Sequence, residues 1–218
     1  MANTALAVVA DGMGGKTGGG MAAQQVINSA AQLFNAFGDD ESPHSLFESF
    51  IAESHQVIRL LSLAEEKEPH STVVAMLLTP NVFYWAHVGD SRLYHFRQGQ
   101  LVQRTRDHSF VEEAVNSGKM TLAQASTHKY RNMLTHALGT EEMPGFGYAV
   151  YESPQIGDCF ILCSDGLWAY FEDLELGAIL DKLSVREAAE LLTSLCRERA
   201  QLKGDNFTFI IVKLLVNS

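Results

Sequence analysis

Positive charge is scarce in this chain: 16 Lys and Arg stand against 26 Asp and Glu, leaving a formal net charge of −10. Nucleic acid and anionic membranes both reward clustered cations, so neither is an expected partner. Cysteine is also scarce. Cys159, Cys163 and Cys196 are odd in number and include no C-x-x-C pair, which makes a disulfide framework a poor reading and buried thiols in a reducing, cytoplasmic setting the expected one. No apolar run reaches the roughly 18 residues of a membrane span, and residues 1–9 do not read as a signal-peptide core. Repeats, low-complexity tracts and linker-like segments are lacking too.

What is present is an ordinary globular composition, 46% hydrophobic and 19% charged over 218 residues, enough for one domain with a sizeable core. Apolar residues recur at three and four from Ala22 through Val26, Ala30 and Leu33 to Phe37, and again from Leu46 to Leu61. That spacing predicts two amphipathic helices, over 21–37 and 46–61, joined by a polar loop. β-Branched and aromatic runs over 72–78, 82–88, 92–97 and 100–104 are separated by tight turns at Thr79-Pro80-Asn81, Gly89-Asp90-Ser91 and Gln98-Gly99. Turns this short join only antiparallel strands, so a meander is predicted. A short helix near 110–116, an irregular stretch over 118–147, strands over 148–151, 159–164 and 207–215, and helices over 174–183 and 185–202 complete an α+β domain spanning 1–218.

The stretch Ala10 to Thr17 reads A-x-x-x-x-G-K-T, one residue from a P-loop, and Phe160–Asp165 resembles the strand that ends in a metal-binding aspartate in such proteins. Antiparallel hairpins, the glycines at 18–20 and a carboxylate at position 11 count against that reading. A metal site explains more. Asp11 and Asp165 each end an apolar strand and precede glycine, and Asp205 stands at the entrance to the last strand. Carboxylates at strand ends gather oxygen ligands for hard cations such as Mg²⁺ or Mn²⁺, and an adjacent glycine lets a carbonyl approach as well.

In chain order, D-G-M-G-G (11–15), S-T (71–72), H-V-G-D-S-R (87–92), T-R-D-H-S (105–109), H-K-Y-R-N-M-L-T-H-A-L-G (128–139), C-S-D-G-L-W (163–168) and G-D-N-F-T (204–208) resemble the bacterial branch of the metal-dependent protein phosphatase 2C family. The resemblance implies a four-layer α/β-β/α sandwich of two antiparallel sheets with a metal centre at one end. It implies two Mg²⁺ or Mn²⁺ ions held by the carboxylates of Asp11, Asp165 and Asp205 and the carbonyl of Gly12, with Asp107 assisting a third ion. A metal-activated water would then hydrolyse phosphoserine and phosphothreonine in proteins, opposing a serine/threonine kinase in cytoplasmic signalling. Residues 118–138 fall where the family has its flap.

The family pattern begins upstream of Asp11 with an arginine that binds phosphate and an acidic pair; residues 1–9 hold none of these, so an N-terminal truncation is expected. Lys16 is the candidate substitute cation for substrate phosphate. The strand over 6–10 is expected to present an apolar edge that favours a homodimer. A catalytically impaired module that acts through metal or partner binding is the alternative function. Asp90 and Arg92 read as an ion pair fixing their turn, His108 as structural, and Trp85 and Trp168 as core.

Overall fold

The computed structural model describes residues 4–38, 40–62, 68–201 and 204–215. β1 (Ala5–Val9) and the two-residue β2 (Gly12–Met13) lead into the long helices α1 (Gly15–Ala36) and α2 (Pro43–Ser62). β3 (His70–Ser71), β4 (Val73–Leu78), β5 (Val82–Val88), β6 (Arg92–Arg97) and β7 (Gln100–Arg104) follow. The remainder is α3 (Phe110–Asn116), α4 (Leu122–Ser126), β8 (Gly147–Glu152), β9 (Asp158–Cys163), α5 (Asp165–Trp168), α6 (Asp173–Lys182), α7 (Val185–Arg199) and β10 (Phe209–Lys213).

The strands form two four-stranded sheets, ordered β1-β4-β5-β8 and β10-β9-β6-β7, with β2 and β3 pairing separately. Every strand pairing among the described residues is antiparallel. The period-two alternation of β4 shows how the layers arise. Val73, Ala75 and Leu77 point to a core shared with Val26 of α1 and Phe47, Phe50 and Ile51 of α2. Val74 and Met76 point the other way, to meet Phe160 and Leu162 of β9. From β9, in turn, Cys159, Ile161 and Cys163 face Leu176 and Leu180 of α6 and Leu192 and Cys196 of α7. Both faces of each sheet are covered, which explains why these strands read as unbroken apolar runs. The result is the expected four-layer sandwich: helices, sheet, sheet, helices.

Local rules account for the connections. Gln98 and Gly99 take φ of 50° and 72° in the two-residue turn between β6 and β7, the left-handed pair that matches strand twist. Thr121 and Gln124 form a capping box at α4, and Ser184 and Glu187 do so at α7. One expectation needs correction. Helix α1 begins at Gly15, six residues before the apolar stripe, and takes in the glycines at 18–20. The reason is tertiary: a methyl group on Gly12 would overlap the Gly19 carbonyl, and one on Gly19 would press on Gly12. Glycine there costs helix propensity but lets β2 lie directly on the helix. The glycine run therefore does not argue against a P-loop; the antiparallel pairing of β1 with β4 does.

At the end of the sandwich away from β2, Asp158 is completely buried and accepts Arg97 Nε and Nη2 at 2.7 and 2.9 Å and the Gln155 amide at 2.8 Å. His95, also fully buried, stacks on Phe160 at 4.6 Å, with Nε2 3.2 Å from Asp158 Oδ1 but poorly aligned for a hydrogen bond. Burial holds the His95 pKa below its ordinary 6.5, against the pull of Asp158. The unfolded chain therefore binds a proton below pH 6.5 that the folded chain refuses, and stability falls as pH drops through that point. His95→Phe is expected to reduce the slope of the unfolding free energy with pH below pH 6.5, by at most one proton's worth, about 1.4 kcal/mol per pH unit. Urea titrations of both proteins at pH 5.5, 6 and 7 measure it; identical slopes would exclude His95 as a source.

Candidate metal centre

The connection out of β1 is pinned before it reaches α1. The Asp11 carbonyl accepts the Thr72 amide at 2.8 Å and the Ser71 hydroxyl at 3.1 Å, and the Asp11 amide donates to Thr72 Oγ1 at 3.2 Å. Thr72 Oγ1 is held in turn by Ser91 Oγ at 2.7 Å. The S-T pair thus clamps the Asp11 main chain. In the facing sheet, Ser164 exchanges hydrogen bonds with Thr208, its amide to the Thr208 carbonyl at 3.1 Å and its Oγ from the Thr208 amide at 3.2 Å. Asp165 follows as the first residue of α5. A methyl group on Gly166 would overlap the Asn206 carbonyl, so glycine is what brings the Asp165 loop against the Asp205 loop.

These segments meet at a cleft of about 530 Å³ whose walls include Asp11, Gly12, Met13, Gly14, Ser164, Asp205 and Asn206. The carboxyls of Asp11 and Asp165 are neighbours, and Asp205 adds its field to both. Burial, then the Asp165 charge, pushes the Asp11 pKa up to about 7. Burial, then Asp205, raises that of Asp165, against the Asp11 contact, the Gly166 N–H and Arg92. Among the described residues, no three His, Cys, Asp or Glu side chains converge on a single point; the arrangement is a tight carboxyl pair with a third carboxyl beside it. Asp205 is exposed and accepts the Asn206 amide at 2.8 Å.

An oxygen-only donor set suits a hard divalent cation. The most telling atom is Asp165 Oδ1, which is buried without a hydrogen-bond partner among the described residues. An orphaned buried carboxylate oxygen is costly unless something neutralises it. A cation between Asp11 and Asp165 does so and relieves their mutual repulsion.

Two expectations change here. Asp107 is not a free carboxyl: Arg92 grips both of its oxygens, Nε to Oδ1 at 2.8 Å and Nη2 to Oδ2 at 2.7 Å. Arg92 therefore pairs with Asp107 and not with its turn neighbour Asp90. Its guanidinium also donates to Tyr94 Oη at 2.9 Å and lies 3.5 Å from the centre of the Trp168 ring. Trp85 and Trp168 both pack against the core as expected, and Trp168 also donates from Nε1 to the Asp90 carbonyl at 2.9 Å, which ties α5 to the G-D-S-R turn. Asp90 is the residue sequence reasoning missed. Burial, then the charges of Asp165 and Asp107, raises its pKa to about 7, which places it in the field of both carboxyls. Its position between two strand runs was visible, but it also suits a simple turn.

His108 accepts the Gly89 amide at 3.3 Å and stacks on His87 at 4.5 Å, a structural role. The segment after α3 returns to the sheet beside Asp11 through paired bonds between Ser71 and Leu138 at 2.9 and 3.1 Å. Lys16 lies in the first turn of α1, and its side chain falls outside the described residues. No Arg or Lys is among the described residues lining the cleft.

Comparison with known proteins supplies the family context. The sequence model of protein phosphatase 2C matches residues 1–203. The serine/threonine protein phosphatase PstP of Mycobacterium tuberculosis is 33% identical over 221 residues, covering 98% of this chain and 41% of that protein. A putative 2C-type protein phosphatase of Streptococcus pyogenes is 30% identical over 213 residues, covering 95% of this chain and 85% of that protein. The chain thus spans about two-fifths of the mycobacterial relative and most of the streptococcal one. Among solved structures, the catalytic domain of PstP in complex with two manganese ions superposes with a TM-score of 0.82 at 29% identity, covering 97% of this chain and 88% of that one.

Proposed function

The chain belongs to the protein phosphatase 2C family, and from that premise we propose that it hydrolyses phosphoserine and phosphothreonine in proteins with Mg²⁺ or Mn²⁺. The observation that carries the reading is the Asp11–Asp165 carboxyl pair with its orphaned Oδ1, set beside Asp205 at the rim of one cleft. Relatives of the same fold are serine/threonine phosphatases, one of them crystallised with two manganese ions.

In this proposal Asp11, Asp165, Asp205 and the Gly12 carbonyl hold the ions, and Asp90, rather than Asp107, is the further carboxyl at Asp165. When bound, such ions supply a Lewis acid that lowers the pKa of water and offsets phosphoryl charge. The chain's own contribution is positioning. Ser71 and Thr72 fix the Asp11 backbone, the Ser164–Thr208 pair fixes the strand end before Asp165, and Gly166 lets the Asp205 loop approach. Phosphoryl transfer asks mainly for such positioning and charge stabilisation. No covalent nucleophile is required: burial pushes the Cys163 thiol well above its ordinary range, and the side chain is a core residue.

Manganese-dependent release of p-nitrophenol from p-nitrophenyl phosphate, abolished by EDTA and restored by excess Mn²⁺, is the expected result. Hydrolysis that survives EDTA would overturn the reading. A second reading, a module that binds metal or a partner with little turnover, is favoured by the absence of Arg and Lys from the described cleft lining; metal binding without hydrolysis would select it.

The proposed substrates are phosphorylated proteins made by an opposing kinase, and the proposed setting is the cytoplasm, where the three buried free cysteines stay reduced. β1 is an edge of its sheet and carries the half-buried Leu6, Ala7 and Val8. Such an edge is a template for strand pairing, and a self-associating species is expected in sedimentation velocity as concentration rises. A monomer at every concentration would exclude the edge as an interface.

A further inference from the structure

We propose that Cys196 is a positioning residue for the metal centre, and that the last turns of α7 set the separation of the Asp165 and Asp205 loops. The inference rests on those two aspartates being metal ligands. Cys196 is 1% exposed, and its Sγ–H donates to the Gly166 carbonyl at 3.1 Å. That carbonyl has no other role in α5, because the Ala169 amide bonds to Asp165 and the Tyr170 amide to Leu167. The thiol therefore satisfies a main-chain acceptor one residue from Asp165.

One helical turn further on, Ala200 fills the corresponding place against the other loop: a methyl group on Gly204 would overlap Ala200 Cβ. Residues four apart lie on one helix face, so a single face of α7 touches the residue after Asp165 and the residue before Asp205. Gly166 in turn abuts Asn206, which closes a three-way contact among α7 and the two loops. The same end of the helix is tied down by Arg199, which donates to the Tyr170 carbonyl at 2.7 Å and pairs with Glu175. Groups that orient ligands from behind are typically worth about 10- to 100-fold in metal affinity.

The test is the Mn²⁺ dissociation constant of the full chain, read from the electron paramagnetic resonance signal of free Mn²⁺. Cys196→Ala is expected to bind Mn²⁺ about tenfold more weakly. Cys196→Ser, which keeps a hydroxyl donor, is expected to remain close to wild type. Leu192→Ala, one turn earlier on the same buried helix face and part of the same core, is the packing control, expected to lower the melting temperature and leave the constant unchanged. Equal affinity in Cys196→Ala and wild type, or equal weakening in Leu192→Ala, would overturn the proposal and leave the metal reading intact. No Mn²⁺ binding by the wild type would overturn both. Should Cys196→Ala fail to fold, the wild-type chain still decides the matter. Saturating Mn²⁺ is expected to slow maleimide labelling of Cys196 more than that of Cys159, whereas equal protection of both would count against the proposal.

Discussion

Asp165→Asn is expected to lower kcat by at least about a thousandfold, about 4 kcal/mol of transition-state stabilisation, while raising the melting temperature of the metal-free chain. The two effects come from one arrangement. Asp11 and Asp165 are both partly buried, share a contact and have raised pKa values, so in the absence of a cation the fold holds two carboxylates together against their repulsion. Asparagine keeps the shape, removes one charge and offers an amide N–H to Asp11. Stability rises for that reason, and the cation affinity that catalysis needs is lost with it. Thermal unfolding in EDTA and p-nitrophenyl phosphate turnover in Mn²⁺ measure the two sides separately. A variant that is less stable and equally active would mean that Asp165 is a structural residue.

Arg92→Leu is expected to cost about 3–5 kcal/mol of stability, because it strands the buried Asp107 carboxylate. The Asp107 side chain is 7% exposed and both oxygens are taken up by Arg92. Arg92 also satisfies Tyr94 and covers Trp168. For a chain of 218 residues that loss corresponds to a fall in melting temperature of roughly 6–20 °C. Arg92→Leu combined with Asp107→Leu is expected to recover much of the loss, since the stranded charge is gone. Additive losses in the double variant would show that packing around Arg92, not the ion pair, carries the stability. Arg92→Lys is expected to rescue little, because an ammonium cannot form the bidentate fork or stack on the indole.

Much of the fold was legible because each layer carries its own period. The stripes of α1 and α2, the runs of β4 to β7 and the tight turns between them follow from side-chain spacing alone. The start of α1 was not legible, because the glycines that look like helix breakers are there for the approach of Gly12 to Gly19, which only the tertiary structure shows. Asp11, Asp165 and Asp205 were accessible as carboxylates at strand ends beside glycine or asparagine, and family resemblance joined them into one site. Arg92 pairs with Asp107 and not with Asp90 for a physical reason. Both stand in turns beside arginines, and which one the guanidinium of Arg92 reaches depends on how β6 and the 105–108 segment pack. The contact of Cys196 in α7 with Gly166 beside Asp165 spans 30 positions, and no local pattern announces it.

Whether Asp11, Asp165 and Asp205 hold divalent cations that activate water against a phosphorylated side chain is decided by phosphate release from a phosphothreonine peptide, with bound Mn²⁺ counted in the same samples. Two ions per chain are expected, with phosphate release that rises as they bind and stops in EDTA. Phosphate release in EDTA, or full activity with no Mn²⁺ bound, would contradict this expectation.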